Sequence, residues 1–183
     1  MRHRRFVMVV IIALIGISIS IWDWPKHIRD VFIPKRWGIV QQDQIYRSGQ
    51  LSRWLVKKTL RSHQINVIID LQSVDPTSPD QVAEQAVVKQ LGIERHRFPL
   101  GGDGTGKIAN YAMAIKTIVT AVQQDKRVLV HCAAGSQRTG GVIASYRMLV
   151  ENVPAAAAQA EMEKYNWDPV EDTELSDFLN SHM

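Results

Sequence analysis

The sequence predicts an α/β domain with a central, mostly parallel sheet flanked by helices. Two observations carry this. Short apolar, β-branched runs at 66–71 (NVIIDL) and 127–131 (RVLVH) have the length and continuity of strands buried on both faces. From Asn66 to Val150, such runs alternate with longer stretches of helical periodicity, the order expected of parallel strands joined by crossover helices.

Each element follows from local chemistry. Residues 38–40 and 44–46 flank a Gln-Gln-Asp turn and predict a short hairpin. Ser52 is a candidate N-cap for a helix running to about Ser62, with Leu55, Leu60 and the Trp54 ring turned toward the core. The strand at 66–71 leads into a loop, 73–79, that carries two prolines. Asp80 can cap a helix through Leu91, which Gly92 would stop. Residues 94–98 predict another strand, and 100–106 (LGGDGTG) a flexible glycine-rich loop. A helix over 108–124 follows, then the strand at 127–131 and a helix over about 138–150. Pro154 opens an alanine-rich helix, and 173–179 predicts a last one. The sequence shows no internal repeat.

The N-terminus differs from the rest. Residues 1–5 (MRHRR) are basic, and 6–22 form an apolar run closed by Trp22. The run is near the ~17 residues that a short spanning helix needs. A cleaved signal peptide would also begin this way, but no convincing cleavage site follows. We therefore read 6–22 as a single-pass membrane anchor, 23–36 as a juxtamembrane connector and 37–183 as the folded domain. Basic residues on both flanks (Arg2, Arg4 and Arg5 before; Lys26, Arg29, Lys35 and Arg36 after) leave the side of the domain open. The net charge of +4 suits anionic substrates or an anionic membrane surface. No basic stripe with interleaved aromatics suggests nucleic acid, and a single cysteine excludes an internal disulfide or a multi-cysteine metal site. No metal or cofactor is expected.

That cysteine lies in HCAAGSQRTGG, residues 131–141, where a strand gives way to a helix. Ligands of parallel sheets bind at the carboxyl ends of strands. A tight loop there turns backbone N–H groups inward, and the helix dipole adds positive potential, making a site for a tetrahedral anion. Gly135 lets the backbone turn, Ala133 and Ala134 are too small to crowd it, and Ser136 and Gln137 supply N–H groups. Arg138 can grip two anion oxygens with its planar fork. Cys132 at the base of this field should ionise well below the free thiol value of ~8.5, with Thr139 able to donate to its sulfur. The result is a nucleophile aimed at phosphorus.

The stretch from His131 to Gly140 resembles the HCxxGxxRTG phosphate-binding loop of cysteine-dependent protein tyrosine phosphatases, and its length is similar to that of the compact dual-specificity subgroup. YRSGQ at 46–50 resembles bacterial and fungal members of that subgroup. The resemblance covers roughly 37–150. It implies a metal-independent, two-step reaction in which Cys132 forms a phosphocysteine and an aspartic acid protonates the leaving oxygen. It also implies that this acid sits on a mobile loop about thirty residues before the cysteine; Asp103, between glycines, fits, with Asp75 as the fallback. His131 would orient the loop and tune the thiol, and Arg47 would bond loop carbonyls or the core. The Trp167-Asp168-Pro169 sequence reads as a turn, and Asp70 as structural.

The variable loop positions, Ala133, Ala134, Ser136 and Gln137, are all neutral, which favours singly phosphorylated groups such as phosphotyrosine, phosphoserine or phosphothreonine. Arg95, Arg97 or Lys107 could reverse that choice by recruiting more phosphates. A phospholipid substrate stays open beside a phosphoprotein, as does a non-catalytic phosphate-binding adaptor. An oxyanion reductase would need further cysteines to resolve its intermediate, and this chain has none; a rhodanese-type sulfur transferase is the remaining alternative.

Overall fold

The computed structural model describes residues 26–182. The predicted anchor at 6–22 lies outside them; among the described residues no helix is long and apolar enough to cross a membrane.

The chain runs α1 (Lys26–Phe32), β1 (Gly38–Gln41), β2 (Ile45–Gly49), α2 (Val56–Ser62), β3 (Val67–Asp70), α3 (Pro79–Leu91), β4 (Glu94–Arg97), α4 (Ile108–Gln123), β5 (Val128–Cys132), α5 (Gln137–Val150), α6 (Ala155–Glu163) and α7 (Thr173–His182). The five strands form one sheet in the order β1-β2-β5-β3-β4. The β1–β2 hairpin is antiparallel, and every other pairing is parallel. β5 is therefore central, with β2 on one side and β3 on the other. Its five residues are all buried, as a strand covered on both faces requires.

Two apolar layers cover the sheet. One packs Ile69, Val128 and Val130 against α4, α5, α6 and α7 through Ile118, Val142, Ile143, Met162 and Leu175. The other packs Tyr46, Ile68 and Leu129 against α2 and α3 through Val56, Leu60 and Val88. Alternate residues along β3 and β5 thus point to opposite layers, the period-2 consequence of the pleat.

Three local expectations are corrected. The second helix begins at Val56 rather than beside Ser52, because the Ser52 hydroxyl donates to the Val31 carbonyl (2.7 Å) and is not free to cap. The Trp54 ring, expected in the core, is 66% exposed and lies under the Arg53 guanidinium, while Leu60 is buried. Ser78, not Asp80, caps α3, with Pro79 in the first turn; Asp80 instead accepts from the Arg53 amide (2.8 Å). The stop at Gly92 is as expected, in the left-handed conformation at φ 65°.

The described part of the expected connector is packed onto the domain. Besides the Ser52–Val31 bond, the Gly49 amide donates to the Lys35 carbonyl (2.8 Å), and Trp37, which follows the connector, packs in a tilted cluster with Tyr46 and His63 at 5.5 and 4.4 Å.

Candidate active site

Cys132 closes β5, and the chain turns through 133–136 into α5. The direction of the loop peptides can be read from their carbonyls. Ala133 O accepts from the Gln50 amide (3.1 Å), Ala134 O from Arg36 Nη1 (2.9 Å) and Gly135 O from Arg47 Nη2 (2.9 Å). All three point away from the bowl. Each peptide is trans, so the next N–H points the opposite way, and the amides of Ala134, Gly135 and Ser136 face inward. The Gly135 amide already donates to Cys132 Sγ at 3.1 Å.

This geometry requires glycine at 135. Its φ is 81°, and a Cβ there would overlap the backbone of Ser48 and Gly49. Gly49 is equally constrained: a Cβ would come 2.7 Å from Ala134 O and 2.9 Å from the Lys35 Cβ. The YRSGQ segment is therefore the seat on which the phosphate loop rests.

The Cys132 sulfur is buried, which by itself would raise its pKa. The Thr139 hydroxyl, the Arg138 guanidinium and the Gly135 and Thr139 amides outweigh burial and hold the thiol below its usual range. The Thr139 hydroxyl makes no hydrogen bond of standard geometry, but it lies close enough to the sulfur to be the largest of these favourable influences. Arg138, half-buried at the start of α5, makes no side-chain hydrogen bond or ion pair among the described residues, so its fork is available to a guest anion. Arg47 is fully buried behind the loop, its guanidinium 3.7 Å from the Tyr165 ring centroid. Burial lowers its pKa to about 10, which still leaves a cation near the Cys132 sulfur at neutral pH.

His131 is buried with its Nε2 3.3 Å from Glu84 Oε2, and both side chains are 1% exposed. Burial opposes the imidazolium, but the Glu84 carboxylate, with Asp70 and Cys132 nearby, overrides it and raises the pKa to about 9. The Glu84 carboxyl is held well below the usual range by His131, Arg95 and Gln50 against the cost of burial. Gln50 Nε2 donates to Glu84 (2.9 Å), and Gln72 Nε2 donates to Gln50 (2.6 Å). Asp70, Glu84 and His131 bring three possible metal-ligand atoms within 4.8 Å of one another. Arg95 Nη2 already lies 2.7 Å from Asp70 and 3.0 Å from Glu84, so a guanidinium compensates both carboxylates. Arg97 is committed likewise, 2.7 Å from Asp70. Of the three basic residues that could have recruited extra phosphates, only Lys107 has no ion-pair partner among the described residues, and it is exposed.

Asp103 lies on the loop between β4 and α4. Its carboxylate accepts from the Thr105 amide and hydroxyl, each at 3.0 Å, and makes no hydrogen bond to the phosphate loop. The loop itself abuts the site. A Cβ at Gly104 would stand 3.1 Å from the Gln137 carbonyl carbon, and the Tyr111 hydroxyl donates to Gly104 O (2.6 Å). Burial and the nearby Asp103 charge push the Tyr111 phenol upward. Asp75 is exposed on a different loop, where Thr77 holds its carboxyl below the usual range and disfavours it as a proton donor. Asp70 is buried and paired with Arg95 and Arg97, and Asp168 closes a turn by accepting from the Val170 amide (2.8 Å).

Sequence reasoning missed the 166–172 segment. The Ser136 hydroxyl donates to Asn166 O (2.8 Å), and Gln137 Nε2 donates to Asp172 Oδ1 (3.2 Å), so this segment fixes two residues of the loop. It also missed Glu84 and Arg36. None of these has a local signal; each meets the loop only through the fold.

Residues 49–181 match the family model for the dual specificity phosphatase, catalytic domain. The chain belongs to that family. The domain is accordingly a phosphatase of the cysteine-dependent class, with the family's cysteine present as Cys132. Among solved structures, this phosphatase is similar to Tk-PTP in a mutant form (18% identity, TM-score 0.67, covering 80% of this chain and 93% of that one). It is similar to TpbA of P. aeruginosa (21%, 0.65, 80% and 84%) and to the core catalytic domain of the PP-IP phosphatase SIW14 of S. cerevisiae (18%, 0.65, 81% and 88%). A variant of TpbA has been crystallised with pTyr. At these identities the likeness shows the fold.

Proposed function

We propose that the protein hydrolyses singly phosphorylated groups, phosphotyrosine and phosphoserine or phosphothreonine of proteins, through a phosphocysteine. The observation that supports the chemistry is the Gly135 amide on the Cys132 sulfur, with the Ala134 and Ser136 amides turned the same way, beside an Arg138 with no side-chain partner among the described residues. The substrate phosphate sits against these groups, its oxygens on the amides and the Arg138 fork. The Cys132 thiolate attacks phosphorus, the S–P bond forms and the P–O ester bond breaks. Asp103, released from Thr105 as its loop closes, gives its proton to the leaving oxygen. Water then attacks the phosphocysteine, Asp103 takes the proton, and the S–P bond breaks to release inorganic phosphate.

Single phosphorylation is favoured because the loop's own side chains are neutral and because Arg95 and Arg97 are occupied by Asp70 and Glu84. Of Arg95, Arg97 and Lys107, only Lys107 has no ion-pair partner among the described residues to offer a multiply charged head group. A second reading, a phosphate other than a phosphoprotein's, follows from the fold shared with the PP-IP phosphatase SIW14. On the sequence alone we also propose that 6–22 tethers the enzyme to a membrane, which a reporter fused at the C-terminus would test.

The deciding experiment is a panel of phosphopeptides, phospholipids and inositol phosphates offered to wild type and to Cys132→Ser. The reading expects turnover of phosphopeptides without added metal, inhibition by vanadate, and no turnover by the serine variant. Preference for a polyphosphate would overturn the substrate class; full activity after Cys132→Ser would overturn the mechanism.

A further inference from the structure

We infer that Arg36, outside the phosphate loop by nearly a hundred residues, is a positioning residue that tunes the Cys132 thiolate through a single peptide bond. The inference rests on the phosphocysteine reading above. Arg36 Nη1 donates to Ala134 O at 2.9 Å. The N–H of that same peptide belongs to Gly135 and donates to Cys132 Sγ at 3.1 Å. A cation on the carbonyl end of an amide polarises the group and strengthens its N–H as a donor. Guanidinium, peptide and sulfur thus form one line of aligned charge, with the thiolate at its end.

The placement of Arg36 is over-determined, as a positioning role needs. Its Nε donates to Asn166 Oδ1 (3.3 Å), while Asn166 O accepts from the Ser136 hydroxyl (2.8 Å). Asn166 therefore holds both the arginine and the far side of the loop. The preceding residue, Lys35, accepts from the Gly49 amide, and Gly49 packs directly on Ala134. Arg36 itself keeps φ at 44°, an uncommon conformation for a non-glycine residue. The segment expected to be a linker is thus the outer wall of the anion site.

Other charges face the same sulfur: Arg138 from α5, Arg47 from β2, and His131 with Glu84 behind it. Arg47 acts on the next peptide through Gly135 O, whereas Arg36 acts on the amide that donates to the sulfur itself. The consequence is that its loss raises the thiol pKa and weakens oxyanion binding while leaving in place every group that touches the guest.

The test uses the full chain, whose only thiol is Cys132, so the rate of alkylation by iodoacetamide against pH reports that group alone. Two variants separate electrostatics from scaffold. Arg36→Gly removes the guanidinium but suits the positive φ, and thermal unfolding shows whether it folds. Arg36→Lys keeps a cation. In Arg36→Gly the alkylation midpoint should rise by about half a pH unit and vanadate affinity should fall about threefold, the scale of losing charge assistance to one of several donors. Arg36→Lys should fall between this variant and wild type. A depressed midpoint shared by wild type and both variants overturns the inference, and so does a lysine variant matching the glycine variant. A wild-type midpoint at the ordinary thiol value overturns the phosphocysteine reading itself.

Discussion

Replacing Glu84 by Gln removes the one carboxylate in direct reach of the His131 ring. In the native protein these groups are 3.3 Å apart and both are 1% exposed, so water screens neither. The sign of the pH effect follows from the direction of each shift. The His131 pKa is raised to about 9 from an ordinary 6.5. Its contribution is therefore complete below about pH 6.5 and is lost as pH rises through about 9. A displacement of that size corresponds to roughly 3 kcal/mol. In Glu84→Gln the buried imidazole stays neutral, and Arg95 keeps Asp70 at 2.7 Å. Urea unfolding of wild type and variant at pH 6 and pH 9.5 isolates the effect, because the thiol and all other groups are common to both. Wild type should exceed the variant by roughly 3 kcal/mol at pH 6, within the range for breaking a buried pair, and the gap should largely close at pH 9.5. Glu84, whose carboxyl is held low, adds a second loss in acid, as pH falls below the ordinary glutamate value of ~4.3. A gap that stays constant between pH 6 and pH 9.5 would refute the claim that His131 is held as a cation by Glu84.

Two further outcomes follow from the site and the core. Asp103→Asn should slow alkyl phosphate esters by about 10²-fold while changing nitrophenyl phosphate far less, since only a poor leaving group needs the proton; equal slowing in steady-state assays would assign Asp103 a structural role. Leu60→Ala should cost about 2–5 kcal/mol in chemical denaturation, since Leu60 is 1% exposed, whereas Trp54→Ala should stay within about 0.5 kcal/mol because its ring is 66% exposed. Comparable losses in both variants would contradict the packing described for α2.

The tests divide along the line between local and tertiary information. The strands at 66–71 and 127–131 were legible because burial on both faces demands unbroken apolar runs. The start of α2 was not, because the hydroxyl of Ser52 could choose between its own helix and Val31, a partner 21 residues away. Trp54 was misplaced for the same reason: it was expected on a helix opened by Ser52, but the helix begins at Val56 and leaves the ring in the preceding turn, exposed. For Arg95 and Arg97, composition showed two cations near a possible polyanion site, while the fold spent both on Asp70.

By itself the sequence placed the cysteine, the arginine and the glycine of the loop together, because these residues lie in one short stretch and a strand-to-helix turn brings successive amides together whatever surrounds it. The resemblance also pointed to Arg47 on a loop carbonyl, which Gly135 O provides. The tertiary structure alone decided what else holds that turn in shape: Arg36, Glu84 beside His131, and the 166–172 segment through Asn166 and Asp172. Buried carbonyls and charges must find partners somewhere, and where they find them depends on which segments the sheet order β1-β2-β5-β3-β4 makes neighbours.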